Sequence, residues 1–271
     1  MERSELLARL LGKEDLLKAI ELLGGAGRTD TRKSKKLREV VGFSELILKY
    51  MRRFLGQKDL VRIIEFSCGK SYLGIVLVLL LRELEGGRAE LVGVDVNGAL
   101  VEKCRRLAEV AGVRDARFVA CRTSQFQGDG QFDVAVALHA CDTATDEAIA
   151  KGIQLGVPLI LAVPCCQNQI RGQIRSGHPL TAMTEFGPVR YRLADLLTDA
   201  LRAQFLRSAG YHVEMLEIET PRLTPKNLCI CARKVKGPIR SGRDQGYRML
   251  KSLFNVRPKL EELCPGVIRS E

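Results

Sequence analysis

From residue 61 onward, short apolar segments alternate with helical segments, and this alternation constrains the fold more than any other feature of the chain. Seven segments have the length and composition of strands: 61–66, 89–96, 116–121, 131–140, 157–164, 211–220 and 227–234. The first five are nearly continuous apolar runs, which is typical of parallel strands covered on both faces. The last two flank the short segment 221–226 and predict an antiparallel hairpin. The pattern predicts an α/β fold, with a Rossmann-like, doubly wound sheet of seven strands closed by that hairpin.

Helical segments separate the strands and also flank the sheet on both sides. Within the sheet region they cover 72–84, 98–112, 145–154 and 194–210. Helices are also predicted at 4–23 and 33–55 before the sheet, and at 244–254 after it. We therefore expect an N-terminal helical, basic extension at 1–58, an α/β domain at 59–235 and a basic C-terminal extension at 236–271.

The positive charge of the chain lies in its two flanks. The net charge is +11; residues 1–60 carry 14 Lys and Arg against 9 Asp and Glu, and residues 232–271 carry 10 against 4. The stretch 61–231 carries 19 of each. A polyanion, nucleic acid above all, would explain such flanks, and so would a simple contribution to solubility. The helix at 33–55 presents a basic outer face: Arg32, Lys33, Lys35, Lys36, Arg38, Lys49, Arg52 and Arg53.

The cysteines and the apolar runs bear on whether the protein is cytoplasmic and whether it enters a membrane. The nine cysteines are odd in number and scattered, and the opening residues do not resemble a secretory signal, so free thiols in a cytoplasmic protein are expected. The longest apolar run, residues 73–81, has nine residues. A membrane-spanning helix needs about 20, so this run predicts a buried helix and no membrane partner.

The first strand ends in EFSCGKS, where a parallel sheet of this type binds its ligand. A cofactor loop at this position has small residues at alternate places, so that the backbone and a helix N-terminus can approach the ligand. Here Gly69 occupies the middle place, and Ser67 and Ser71 occupy the other two. Taken alone, the segment is equally compatible with an ordinary turn between a strand and a helix.

The second and third strand ends strengthen the cofactor interpretation. Asp95 ends the second strand, where a carboxylate can accept hydrogen bonds from ribose hydroxyls. It could instead cap the following helix. After the third strand, Thr123, Ser124 or Gln125 could bind an adenine edge, or could form a plain turn.

The fourth and fifth strands end in LHACD and VPCCQN. These ends carry five residues with polar or nucleophilic side chains: His139, Cys141, Asp142, Cys165 and Cys166. His139 is a candidate general base or a structural histidine. The cysteines have three interpretations: small apolar residues, a metal site together with His139, or a catalytic thiolate. Their spacing is not that of a zinc motif, and no structural metal is expected.

These motifs together resemble a known family. EFSCGKSYL, GVD, LHACD with TDEAI, VPCCQNQ and TPKN, in this order, resemble class I S-adenosylmethionine-dependent methyltransferases over roughly residues 33–235. The group includes methyltransferase-like proteins labelled as ribosomal-RNA adenine dimethylase-domain proteins. More distantly it includes tRNA ribose methyltransferases with a similar His-x-Cys element and Cys-Cys pair. The usual loop of the family is Gly-x-Gly-Lys-Gly, and this chain departs from it at Ser67 and Ser71.

The resemblance implies a class I methyltransferase sheet and S-adenosyl-L-methionine as the cofactor. By the same resemblance, Glu65, Cys68, Gly69 and Asp95 would hold the methionine and ribose parts of the cofactor. The residues that would lie beside the sulfonium are Leu138, His139 and Asp142.

Three functions remain open from the sequence. The first is methyl transfer to RNA, tRNA or rRNA, with the basic flanks on phosphates. The second is methyl transfer to a protein or a small molecule, and the third is an inactive RNA-binding module that keeps the fold. The chain lacks the Asn/Asp-Pro-Pro-aromatic element of many exocyclic-amine methyltransferases, which argues against base N-methylation of that type. A nicotinamide dehydrogenase is disfavoured by the missing glycines and the closing hairpin.

Overall fold

A computed structural model describes residues 12–22, 31–128, 130–174, 177–218, 227–237 and 242–268. The seven predicted strands are present: β1 (Leu60–Phe66), β2 (Arg88–Asp95), β3 (Ala116–Ala120), β4 (Val134–Leu138), β5 (Leu159–Val163), β6 (Tyr211–Glu217) and β7 (Leu228–Lys234). The first helices are α1 (Glu14–Ala19), α2 (Thr31–Phe54), α3 (Tyr72–Glu85), α4 (Gly98–Val110) and α5 (Thr143–Gln154). The later ones are α6 (Asn168–Arg171), α7 (Thr181–Thr184), α8 (Gly187–Ser208), α9 (Gln245–Phe254) and α10 (Lys259–Leu263).

The strands form one sheet in the order β3-β2-β1-β4-β5-β7-β6. Strands β1 to β5 are parallel, whereas β7 runs antiparallel to both of its neighbours, β5 and β6. The predicted fold class is thereby confirmed, including the closing hairpin. Because the strand order reverses between β1 and β4, the carboxyl ends of these strands border the crevice where sheets of this type bind ligands.

Helices cover both faces of the sheet, and each face has its own apolar core. The continuous apolar run of β5 is buried along its whole length, as expected for a central strand with helices on both sides. On one face, α1 to α4 contribute buried side chains to a single cluster. On the other face, the cluster draws on α5, α8, α9 and α10. Both predicted extensions therefore contribute helices to these two cores.

Helix α2 confirms the predicted division into an apolar face and a basic face. Its apolar face is buried and includes Leu37, Val40, Val41, Ile47, Leu48 and Met51. Its exposed side carries Lys35, Arg38 and Lys49. The helix thus packs on the domain through one face and presents positive charge on the other.

Several element boundaries differ from the sequence predictions. Helix α8 begins at Gly187 rather than at 194, because Pro188 suits a first helical turn although the segment lacks apolar periodicity. The short helices α6, α7 and α10 were not predicted, since four or five residues are too few to show a period. The predicted helix at 4–23 is described only in part, and the turn at 221–226 lies outside the described residues. Among the described helices, none is long and apolar enough to cross a bilayer.

Candidate cofactor and active site

The loop after β1 has the backbone of a glycine-rich loop, although only one glycine is present. Ser67, Gly69 and Ser71 have φ values of 51°, 55° and 49°. These values lie in the left-handed region, which glycine enters freely and other residues enter at an energetic cost. The two serines therefore adopt the conformation that glycine would have at the same places.

Glu65 stabilises this loop from beneath. Its buried carboxylate accepts hydrogen bonds from Ser71 Oγ at 2.5 Å and from the backbone N–H of Gly74 at 3.2 Å. Burial raises the pKa of Glu65 to about 7, against the lowering effect of these two donors. Gly74 is required here, since a Cβ atom on it would lie 2.6 Å from Glu65 Oε2. Glu65 thus fixes the shape of the loop.

Asp95 connects the first loop to the end of β2. One carboxylate oxygen accepts the Gly69 N–H at 2.8 Å, and the other accepts the Asn97 N–H at 2.9 Å. The alternative that Asp95 caps helix α4 does not hold, because Asn97 caps it by accepting from the backbone of residues 99 and 100. A carboxylate has about four acceptor positions, so Asp95 keeps capacity for ribose hydroxyls.

The surroundings of Gly69 and Asp95 fit S-adenosyl-L-methionine. A Cβ atom added to Gly69 would meet no atom within 4 Å, so a ligand can approach the loop backbone closely. Val96, directly after Asp95, is 70% exposed and offers an apolar surface to an adenine ring. Val96 was not predicted as a site residue; its position after the strand-end acid was the available signal. The Cys68 side chain is buried against Gly93, and its backbone is engaged within the protein: its N–H donates to Val94 O at 3.0 Å and its carbonyl oxygen accepts the Ser71 N–H at 2.7 Å.

The predicted adenine-side residues form a short 3₁₀ turn after β3, Thr123–Gln125. Thr123 is buried and its side chain is withdrawn from the surface. Ser124 and Gln125 are exposed, and the Ser124 N–H is held by Glu147 of α5 at 3.1 Å. Two of the three candidates thus have side chains that can reach a ligand.

His139 follows β4 and is held by a residue from the N-terminal helix. Its backbone has φ 58°, and its N–H donates to Val163 O at 3.0 Å. The ring Nε2 contacts the carboxylate of Glu39 in α2, which also pairs with Lys36 at 3.0 Å. Burial alone would raise the pKa of Glu39, but the hydrogen bond with His139 and the charge of Lys36 outweigh it and lower the pKa to about 2. Sequence reasoning missed Glu39, because 100 residues separate it from His139.

Asp142 joins the loops that follow β4 and β5. Its N–H donates to Cys166 O at 3.2 Å, and its Oδ1 accepts the Gln169 N–H at 3.0 Å. Its carbonyl oxygen accepts a hydrogen bond from Arg202 of α8 at 2.8 Å. Asp142, which was predicted to lie beside the sulfonium, therefore holds the two loops together.

Arg202 is a buried cation that the sequence analysis did not identify. Its side chain is 2% exposed and is paired with Asp146 at 2.8 Å and with Asp199 at 3.1 Å. Burial opposes its charge, but the two carboxylates outweigh that effect and raise the pKa of Arg202. The network fixes the carboxyl ends of β4 and β5 to α5 and α8.

The three cysteines predicted at the strand ends come together in space. Cys141 Sγ lies 2.8 Å from Cys165 Sγ and 3.9 Å from Cys166 Sγ, and the last pair is 3.7 Å apart. Cys141 is exposed and the other two are half-buried. Burial and the neighbouring thiols raise the pKa of Cys165 well above its usual range, which disfavours a free catalytic thiolate there.

Leu138, the last residue of β4, was also predicted to lie beside the sulfonium, and it is half-buried.

Comparisons with known proteins give relatives that are distant in sequence. The chain is 24% identical over 190 residues to the human glutathione S-transferase C-terminal domain-containing protein, covering 61% of this chain and 29% of that protein. It is 25% identical over 203 residues to the homologue from Drosophila pseudoobscura pseudoobscura, covering 65% of this chain and 33% of that protein. The matched segment therefore spans about a third or less of the length of these curated relatives.

Among solved structures, magnesium protoporphyrin IX methyltransferase from Synechocystis with bound SAM is 13% identical, with a TM-score of 0.47, and covers 82% of this chain and 91% of that chain. An rRNA methylase from Streptococcus thermophilus is 9% identical, with a TM-score of 0.46, and the match covers 79% of this chain and 100% of that chain.

The family comparison is the decisive one. The family model described as a methyltransferase domain matches residues 35–173. That segment contains the first loop, Asp95, the strand end with His139 and the cysteine cluster. The match confirms the predicted enzyme class and the cofactor S-adenosyl-L-methionine that the resemblance implies. Because the matched residues make up more than half of the chain, the protein belongs to this methyltransferase domain family.

Proposed function

We propose that this protein transfers a methyl group from S-adenosyl-L-methionine to RNA, with tRNA or rRNA as the substrate. The observation that supports RNA is the contact between His139 and Glu39. Glu39 belongs to α2, whose exposed side carries Lys35, Arg38 and Lys49. The basic helix is therefore attached to the strand end at which the methyl acceptor would lie, and its charges can hold phosphates close to the reacting atoms.

In this proposal, the cofactor side consists of the first loop and the ends of β2 and β3. The Gly69 backbone, the Asp95 carboxylate, Ser124 and Gln125 bind the cofactor directly. Glu65, Ser67 and the Cys68 backbone maintain the loop against which it lies. The bound cofactor supplies an electrophilic methyl group on a sulfonium.

The acceptor side consists of the ends of β4 and β5. Methyl transfer is an in-line displacement, and much of its rate can come from positioning the two reactants. His139, fixed in orientation by Glu39, positions the acceptor and can take up a proton from it. Leu138 and the cysteines shape the same edge, and Asp142 keeps the two loops at a constant distance. Glu39 does not touch the acceptor in this proposal; it orients the His139 ring, which positions the acceptor.

The C-terminal part of the chain offers a second place for phosphates. A cavity of about 650 Å³ is lined by Arg248, Lys251 and Arg257, together with Glu261. Lys251 pairs with Glu261 at 2.7 Å, so part of the local charge is already balanced. We expect this cavity to contribute less to RNA binding than the exposed face of α2.

The direct experiment is methyl transfer from labelled S-adenosyl-L-methionine to separate pools of total RNA and total protein. We expect label in RNA, and the labelled species would then be identified. Label in the protein pool alone would replace RNA with a protein substrate. Cofactor binding without label in either pool would point to a small-molecule acceptor.

A charge-matched comparison tests the basic face. The triple variant Lys35→Gln, Arg38→Gln, Lys49→Gln should lose RNA affinity and show a shallower dependence of that affinity on salt. The control replaces Arg88, Arg106 and Arg114 with Gln; these residues are exposed on β2, α4 and the loop before β3. Equal losses in both variants would mean that the charge acts non-specifically.

A further inference from the structure

The cysteine cluster has dimensions close to those of a metal site. A tetrahedral zinc–thiolate site has metal–sulfur distances of about 2.3 Å, which places its sulfur atoms about 3.8 Å apart. The pairs Cys165–Cys166 and Cys141–Cys166 have Sγ separations of 3.7 and 3.9 Å. The pair Cys141–Cys165, at 2.8 Å, must open by about 1 Å. Rotation of the exposed Cys141 side chain can provide this, because solvent borders it.

The backbone that carries the three thiols is fixed independently of them. Asp142 bonds to Cys166 O and to the Gln169 N–H, and Arg202 holds the Asp142 carbonyl oxygen. The two loops thus keep their spacing when the thiols are protonated. Outer contacts that orient metal ligands in this way are a regular feature of metal centres.

Other close cysteines in the described part of the chain differ from this group. Cys229 and Cys231 are 3.5 Å apart, but both are buried on β7 and form only a pair. Cys141, Cys165 and Cys166 are the group of three whose ligand atoms lie within 4.8 Å of one another in the described residues. Three soft ligands at an accessible strand end suit a thiophilic cation.

We propose that Cys141, Cys165 and Cys166 bind one thiophilic divalent cation, zinc by preference, through three thiolates. Binding releases the three thiol protons to solvent. The His139 ring is engaged by Glu39 and the Asp142 carboxylate by Gln169. The fourth position is therefore left to water or to an exogenous ligand, as in zinc sites that keep an open coordination place. The inference is independent of the methyl acceptor and revises the expectation of no metal.

Cadmium titration of the full chain tests the site. The protein is treated with a chelator, kept reduced under anaerobic conditions, and titrated with Cd²⁺ while the ultraviolet cadmium–thiolate band is recorded. We expect one equivalent to bind, with a band intensity that corresponds to three thiolates. In each of Cys141→Ser, Cys165→Ser and Cys166→Ser the band should fall to about two-thirds. Since loss of an outer-shell partner alone weakens metal binding about 10- to 100-fold, affinity in these variants should fall by at least roughly 100-fold.

Cys121→Ser is the matched control, because Cys121 is also partly exposed at a strand end. Its band and affinity should equal those of the unaltered chain. Absence of one-equivalent binding, or a band unchanged in all three cluster variants, would overturn the proposal.

A measurement without substitutions guards against variants that fail to fold. Zn²⁺ should slow alkylation of Cys141, Cys165 and Cys166 in the unaltered chain, as mapped by mass spectrometry, and should leave Cys121 unaffected. Equal alkylation with and without Zn²⁺ would contradict the site. In the Co²⁺-substituted protein, added imidazole should shift the visible spectrum if one position is open. An unchanged spectrum would show a closed site and refute that part of the proposal.

Discussion

The loop after β1 and the strand ends of β4 and β5 lie on the same edge of the sheet but are stabilised in different ways. The first loop is held by Glu65, which contacts Ser71 and Gly74 six and nine residues away, and by Asp95 at the end of the adjacent strand β2, 26 residues from Gly69. The second region depends on distant parts of the chain, since Glu39 holds His139 and Arg202 holds Asp142. The cofactor loop thus depends on its own strand and helix and on the adjacent strand β2, whereas the acceptor side also requires helices α2 and α8, which lie far from it in sequence.

The largest expected effect comes from Arg202 in the distant network. Replacement with Met leaves Asp146 and Asp199 buried without their cation, so the free energy of unfolding should fall by about 3–5 kcal/mol. Chemical denaturation followed by circular dichroism measures this change. The control is Arg171→Met, because Arg171 pairs with Asp195 in a more exposed position and should cost about 1 kcal/mol or less. Similar losses in both variants would mean that burial of the Arg202 network adds nothing to its contribution to stability.

The next prediction is that Glu65 in the first region and Glu39 in the second affect stability in different pH ranges. Glu65 has a folded pKa of about 7 against an ordinary value of 4.5, so the folded state binds its proton more tightly. Stability should therefore fall as pH rises from about 4.5 to 7, by roughly 3 kcal/mol for this group. Glu39 has a folded pKa of about 2, so its contribution should be lost as pH falls below about 4.5.

Stability curves against pH for two variants check this assignment. Glu65→Gln should flatten the curve above about pH 4.5, and Glu39→Gln should reduce the slope below it. If either variant altered the window assigned to the other, the two carboxylates would not act separately.

The third prediction concerns the cofactor. Asp95→Ala removes the acceptor for the Gly69 N–H and for ribose hydroxyls, so affinity for S-adenosyl-L-methionine should fall at least about tenfold by calorimetry. Asp95→Asn keeps one acceptor oxygen and should lose less. Gly69→Val should also weaken binding, because it fills the open space above the loop at a positive φ. Unchanged affinity in Asp95→Ala and Gly69→Val would refute the cofactor assignment.

The smallest effect lies within the first loop and compares its two serines. Ser67→Gly relieves a left-handed conformation, so stability should rise by about 0.5–1 kcal/mol. Ser71→Gly relieves the same strain but removes the hydrogen bond to Glu65, so stability should stay equal or fall. Thermal unfolding resolves the two. A gain of equal size in both would mean that the Glu65 contact adds nothing.

The contrast between the regions also explains what the sequence could reveal. The strands, the first loop and Asp95 are encoded in local patterns of apolar residues and small residues, and these were predicted. The position of His139 was predicted, but its partner Glu39 was not, because no local pattern connects residues 100 positions apart. Cys141 and Cys165 were recognised as chemically important residues, whereas their 2.8 Å separation follows from the pairing of β4 with β5.

The place of β7 in the sheet has a consequence for how the chain folds during synthesis. Among the described strands it is the last in sequence, yet it lies between β5 and β6 and pairs with both. Until residues 228–234 leave the ribosome, β5 has an open edge and β6 has no strand to pair with in the described sheet. A nascent chain cut after Glu217 should therefore expose an apolar strand edge and recruit chaperones, whereas one extended beyond Lys234 can complete the sheet.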